Sequence, residues 1–149
     1  MRSRSILRST PKRHFVDPSL AVAALRATPA RLLRDMRLLG FLFESLVVRD
    51  LRVYAQAADA AVVQYRDNTG LEVDAVVQAT DGRWAAFEIE LSSAEARIGE
   101  AARNLLKFAE RVDTATSGEP AALGVIVAAG YAFVRDDGVA VIPAGALGP

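Results

Sequence analysis

Two short runs of alternating apolar and acidic residues, separated by a glycine turn, constrain this chain more than any other feature. Leu71-Glu-Val-Asp-Ala-Val-Val77 and Trp84-Ala-Ala-Phe-Glu-Ile-Glu-Leu91 each place two carboxylates two residues apart, Glu72 with Asp74 and Glu88 with Glu90. On a strand such pairs share a face. Thr80-Asp81-Gly82 between the runs is a hairpin signal, because glycine accepts the positive φ that a tight turn needs. A two-residue loop would set Asp74 opposite Ile89 and scatter the acids. A three-residue loop with Gly82 in the left-handed position sets Asp74 opposite Glu88 and Glu72 opposite Glu90, with Val73 and Ala75 on the side of Phe87 and Ile89. Both faces agree only in the second register, which is the one expected. Like charges then face one another, at a cost unless a cation or water relieves them. Taken alone, the cluster reads first as the solvated outer face of an antiparallel hairpin. The competing reading is a divalent-metal site, since Mg²⁺ takes oxygen ligands.

A further carboxylate shifts that balance. Glu44 lies in Leu38-Leu-Gly-Phe-Leu-Phe-Glu-Ser-Leu-Val-Val-Arg-Asp-Leu51, a segment apolar nearly all round and so expected to be a buried helix. Its helical neighbours are Phe41, Val47, Val48 and Leu51, while Ser45, Arg49 and Arg52 take another side. A carboxylate in an apolar stripe is costly unless protonated, paired or metal-bound. Pairing with an arginine or a backbone group is the plain alternative to a functional role.

Composition excludes several chemistries. With no cysteine there is no disulfide framework and no thiolate site, and the single histidine, His14, rules out multi-histidine zinc chemistry. His14 is expected at a surface or interface near a basic arm. No apolar run is long enough to span a bilayer. Net charge is zero, yet residues 1–37 hold nine Arg or Lys against two Asp, leaving the rest acidic. A basic arm on an acidic body suggests contact with a polyanion or an acidic partner. The arm, residues 1–13, is read as a basic linker or first strand ahead of one domain over 14–147. It lacks the apolar core of a secretory signal, so a cytoplasmic location is expected.

Along the chain, Asp17-Pro18 and Thr28-Pro29 each begin a helix in N-cap and N1 style. The second is expected to run from Ala30 to Leu39 and stop at Gly40, with the buried helix from Phe41 to about Val53 following. Three strands in meander order come next (61–66, 71–79, 84–91), joined first by the Asp67-Asn-Thr-Gly70 turn. Ser92-Ser-Ala-Glu95 reads as a capping box launching an amphipathic helix from Ala94 to about Asp113. A buried strand over 121–129 and a short strand over 138–143 complete a mixed α/β sheet. There is no Walker A or GxGxxG sequence, so no ATP site is expected in this chain.

The order helix with Glu44, strand with Asp74, strand with Glu88, helix, strand resembles the PD-(D/E)xK restriction-endonuclease-like superfamily. The phrases Lys12-Arg-His-Phe-Val-Asp-Pro-Ser-Leu20, Leu39-Gly-Phe-Leu-Phe-Glu-Ser-Leu-Val-Val48 and Leu71-Glu-Val-Asp-Ala-Val76 are similar to the uncharacterised C-terminal domain that follows the ATPase module in a group of prokaryotic AAA-type ATPases. That resemblance implies acidic site residues Glu44, Asp74 and Glu88, with Asp74, Glu88 and the Ile89 carbonyl as ligands of Mg²⁺. The superfamily's usual lysine position holds Glu90, which sets a negative charge where a phosphate must dock. Lys107 or Arg103 on the next helix could supply the missing cation, though both read first as a solvated helix face. The expectation is therefore a stand-alone or truncated, catalytically impaired module that binds DNA or a partner, such as an ATPase encoded separately or lost. The alternative is a Mg²⁺-dependent DNA phosphodiesterase using Glu44, Asp74 and Glu88.

Overall fold

The computed structural model describes residues 12–148. In chain order the elements are α1 (Pro18–Ala24), α2 (Pro29–Arg34), α3 (Met36–Ala57), β1 (Ala60–Arg66), β2 (Glu72–Ala79), β3 (Trp84–Glu90), α4 (Glu95–Arg111), α5 (Thr114–Ser117), β4 (Ala122–Val127), β5 (Phe133–Val134) and β6 (Ala140–Pro143), then a short 3-10 turn. The strands make one six-stranded mixed sheet in the order β1-β2-β3-β4-β6-β5. The β1-β2-β3 meander is antiparallel, β4 lies parallel to β3 and to β6, and β5 is an antiparallel edge. The fold is thus α/β with a mixed sheet. Of the basic arm, residues 1–11 lie outside the described residues, and Lys12 and Arg13 belong to no strand.

The hairpin takes the three-residue register. Ala79 N–H donates to the Arg83 carbonyl at 2.9 Å, Gln78 pairs with Trp84 and Ala75 with Phe87. Gly82 closes the loop at φ +90°, where a side chain would be strained.

The two faces of the sheet bury different helices. On one, Ile98, Ala101, Ala102, Leu105 and Phe108 of α4 pack on Val73, Val76, Trp84, Ala86, Val125 and Val127. Phe108 fits between Tyr65 and Trp84, ring centroids 4.6 and 5.8 Å away, the spacing of tilted aromatic pairs. On the other, Phe43, Val47, Val48 and Leu51 of α3 pack on Ala75, Ile89 and Ile126. Successive residues of β4 divide between these cores, so Val125 and Val127 meet α4 while Ile126 meets α3.

One backbone irregularity changes the expected facing of β2. Val63 pairs with Val76, but Tyr65 pairs with Val73, so β2 has one more residue than β1 across this step, and Asp74 and Ala75 share the place opposite Gln64. Such a bulge breaks strict alternation. Val73 therefore joins Val76 on the α4 side, away from Ala75, Phe87 and Ile89.

Local signals held unevenly. Asp17 Oδ1 caps α1 through Ser19 N–H at 2.8 Å, and Thr28 Oγ1 caps α2 through Arg31 N–H at 3.3 Å. Gly40 does not end a helix. The break falls at Asp35, whose Oδ1 accepts Leu38 N–H at 3.0 Å and starts α3, which then runs through Gly40. An N-cap carboxylate thus outweighs one interior glycine. The expected capping box does not form either: α4 has no side-chain cap, and Ser92 Oγ accepts Ala94 N–H just ahead of it.

Candidate functional site

The bulge delivers Asp74 to the gap where β2 and β3 part, because their pairing stops at Ala75 and Phe87. Asp74 Oδ2 accepts Ile89 N–H at 3.0 Å, and Oδ1 accepts Lys12 Nζ at 3.2 Å. Lys12 arrives from the segment before α1. Its ammonium also ion-pairs with Glu44 of α3 and lies 3.6 Å from Glu72 Oε1. Burial works against the Lys12 charge, but the bonds to Glu44 and Asp74 outweigh it and raise its pKa. A tethered cation thus sits among Glu44, Asp74 and Glu72, and of the metal ligands that the resemblance implies (Asp74, Glu88 and the Ile89 carbonyl) it meets Asp74.

Glu44 is largely buried, its side chain 12% exposed. Burial, then the Asp74 charge, pushes its pKa up against the pull of Lys12. His14 Nε2 stands 3.9 Å from Glu44 Oε1, with its side chain 5% exposed. His14, expected at a surface or interface, is half-buried, with its ring turned in beside Glu44. Burial, Lys12 and Arg52 lower its pKa, so it is a neutral neighbour near pH 7.

Glu88 lies deepest, beside Asp74 and Asn104 of α4. Burial, followed by the Asp74 charge, pushes its pKa up to about 10. One of its oxygens, Oε1, is buried without a hydrogen-bond partner among the described residues. A proton on this carboxyl removes the cost of an unpaired buried charge. Glu90 takes Arg97 as its partner at 3.3 Å. Burial raises the Glu90 pKa while Arg97 works the other way. Glu72 instead meets Gln64, Arg66 and Lys12, so the expected Glu72–Glu90 opposition is replaced by two separately neutralised acids. Ile89 contributes its N–H to Asp74, and its side chain packs in the α3-side core.

Glu44, Asp74 and Glu88 are therefore linked through Asp74, while Glu90 stands apart with Arg97. Lys12 is the site residue that sequence reasoning missed. Its one mark in the sequence is that it is one of just two lysines in an arginine-rich chain. Among the described residues, no group of three or more His, Cys, Asp or Glu side chains is placed to hold a metal ion. As arranged, the acidic set holds the Lys12 ammonium between Glu44 and Asp74.

A second polar cluster forms at the Asp67-Asn-Thr-Gly70 turn. Asp67 is fully buried and accepts from Thr69 N–H at 2.9 Å, Thr69 Oγ1 at 2.7 Å, Leu71 N–H at 3.1 Å and Tyr65 Oη at 3.1 Å, and from Arg111 of α4. Burial would raise its pKa, but these bonds outweigh it and hold the carboxylate well below its usual range. The cluster ties the β1-β2 turn to α4, a structural role.

A family model described as "Domain of unknown function (DUF4143)" matches residues 39–147, from the start of the Glu44 segment through β6. Lys12, α1 and α2 precede the matched span. No curated protein and no solved structure matches the chain.

Proposed function

The chain belongs to the DUF4143 family, and we propose that it is a nuclease-like module that acts by binding rather than by cleaving. The observation that carries this reading is Lys12, whose ammonium occupies the space among Glu44, Asp74 and Glu72. A phosphodiesterase centre on such a hairpin would need a divalent cation to activate water and to offset phosphate charge. Here Lys12 supplies the counter-charge to Glu44 and Asp74, a proton neutralises Glu88, and Arg97 neutralises Glu90. Glu90 is also the acid that the resemblance sets in the superfamily's lysine position. The element order of helix, antiparallel meander, helix and parallel strand supports the PD-(D/E)xK-like part of the reading. An AAA-type ATPase module is the partner the resemblance suggests.

A second reading has one observation in its favour. The partnerless Oε1 of Glu88, beside Asp74, is the oxygen a cation would recruit, which is the Mg²⁺-dependent nuclease using Glu44, Asp74 and Glu88. The two separate on incubation with single- and double-stranded DNA in Mg²⁺ or Mn²⁺. The binding module leaves DNA intact, even as Glu90→Lys. Cleavage by the wild-type protein that disappears in Asp74→Ala and Glu88→Ala establishes the nuclease instead.

A further inference from the structure

Seven of the twelve large hydrophobic residues that stand exposed fall between Phe15 and Phe41, the remaining five being spread over the rest of the described chain. Isolated exposed apolar side chains are ordinary, but a contiguous group marks an interaction surface. Four of the seven, Phe15, Leu20, Leu25 and Phe41, line one groove of about 780 Å³ between α1 and α3. Leu38 and Leu42 of α3 continue its wall, and Glu44 and His14 reach it from the carboxylate site. Concave, apolar and polar only at one end, it has the form of a groove that receives side chains.

The rim is basic. Arg13 lines the groove, and the Arg37 guanidinium lies over the Phe41 ring, 5.7 Å from its centroid. Arg26 and Arg34 stand exposed nearby in the chain. None of these four has a carboxylate partner among the described residues. The two acids of the segment are occupied, Asp17 capping α1 and Asp35 capping α3. An apolar floor with the unpaired guanidiniums of Arg13 in its lining and Arg37 over the Phe41 ring is complementary to an apolar stripe flanked by carboxylates. A flat bilayer does not fill a groove, and a phosphate backbone brings nothing apolar to its lining.

We infer that the α1–α3 groove docks an acidic amphipathic helix of a partner protein, its apolar side chains at i, i+3 or i+4, and i+7 entering between Leu20 and Phe41 and its carboxylates meeting Arg13 and Arg37. The inference rests on the binding-module reading and gives that module its surface and the chemistry of its partner.

The test uses the full chain and a fluorescein-labelled helical peptide of about 16 residues with Leu on one stripe and Glu on both flanks. A control peptide keeps the Leu stripe and exchanges each Glu for Lys. Saturable anisotropy with Kd on the order of 10 μM is expected for the acidic peptide, at least about tenfold weaker for the control. Leu20→Asp and Arg37→Glu, both at exposed positions, should each weaken binding about tenfold or more while leaving the melting temperature in place. Absence of saturable binding, equal binding of both peptides, or binding untouched by the two variants overturns the inference. So does capture by anionic phospholipid vesicles without peptide binding, which would make the face a membrane surface. Concentration-dependent dimers that exclude the peptide would make it a contact between copies and also overturn it. Because DNA cleavage is scored separately, a protein that cuts DNA and binds peptide loses only the silent-module reading, whereas one that does neither loses only this one.

Discussion

Asp74 accepts the Ile89 backbone N–H at 3.0 Å, closing with a side chain the gap that opens where β2 and β3 cease to pair. The same carboxylate holds Lys12 at 3.2 Å by its other oxygen. The strand junction and the tethered cation are thereby one structure.

Replacing Lys12 should expose what it balances. Lys12→Met leaves Glu44 and Asp74 facing each other partly buried, and should cost about 2–4 kcal/mol near pH 7 in urea unfolding. Glu44→Gln in the same chain should recover more than half of that loss. A change within about 0.5 kcal/mol of wild type would show that Lys12 is an ordinary exposed pair.

Glu88 gives stability a pH dependence of fixed sign. Its pKa is raised in the folded protein, from 4.5 to about 10, so the folded state keeps a proton that the unfolded chain releases across that window. Stability from this group is full below the lower value and is lost as pH rises towards the upper one. Burial of Glu44 acts in the same direction. Glu88→Gln should therefore gain on wild type by roughly 1–3 kcal/mol between about pH 5 and pH 9. Parallel urea midpoints for the two proteins over that range would show Glu88 to be ionised and satisfied.

Asp67 should behave oppositely. Its folded pKa is depressed, so its contribution is present above the ordinary carboxylate range and falls away as the solution is acidified. Asp67→Asn replaces an acceptor of five hydrogen bonds by an amide and leaves Arg111 without its carboxylate, with Thr69 Oγ1 as its remaining acceptor. A loss of about 2–4 kcal/mol is expected in thermal or urea unfolding.

Gly124 in β4 tests packing on the α3 side. A Cβ there would lie 3.0 Å from Phe87 Cδ1, 3.1 Å from Cε1 and 3.4 Å from Ile142 Cδ1. Gly124→Ala should cost about 1–3 kcal/mol through overpacking, and Phe87→Leu should relieve part of it. Additive losses in the double variant would show that the contact is not the cause.

The hairpin was readable because its cues are local: a turn glycine and alternation agree on one register. Glu44 was readable because a lone acid in an apolar helix is conspicuous. The bulge was not, since an extra residue in one strand carries no residue-type mark at Asp74 or Ala75. Lys12 was hidden by distance, 62 residues from Asp74 along the chain. Asp67 looked like a turn former because its partner Arg111 lies 44 residues away on another element. The capping box failed because Ser92 Oγ had a nearer donor in Ala94 N–H.

The doubled position in β2 also limits which changes of length the segment can accept. Removing either Asp74 or Ala75 would restore plain alternation against β1 and keep Val73 and Val76 on one face, but a single residue would then have to serve as both the acid of the junction and the small apolar contact of the α3 side. A codon lost at this place is absorbed by the strand and felt at the acid, whereas a codon lost at a plainly paired position turns the neighbouring residues to the opposite interior.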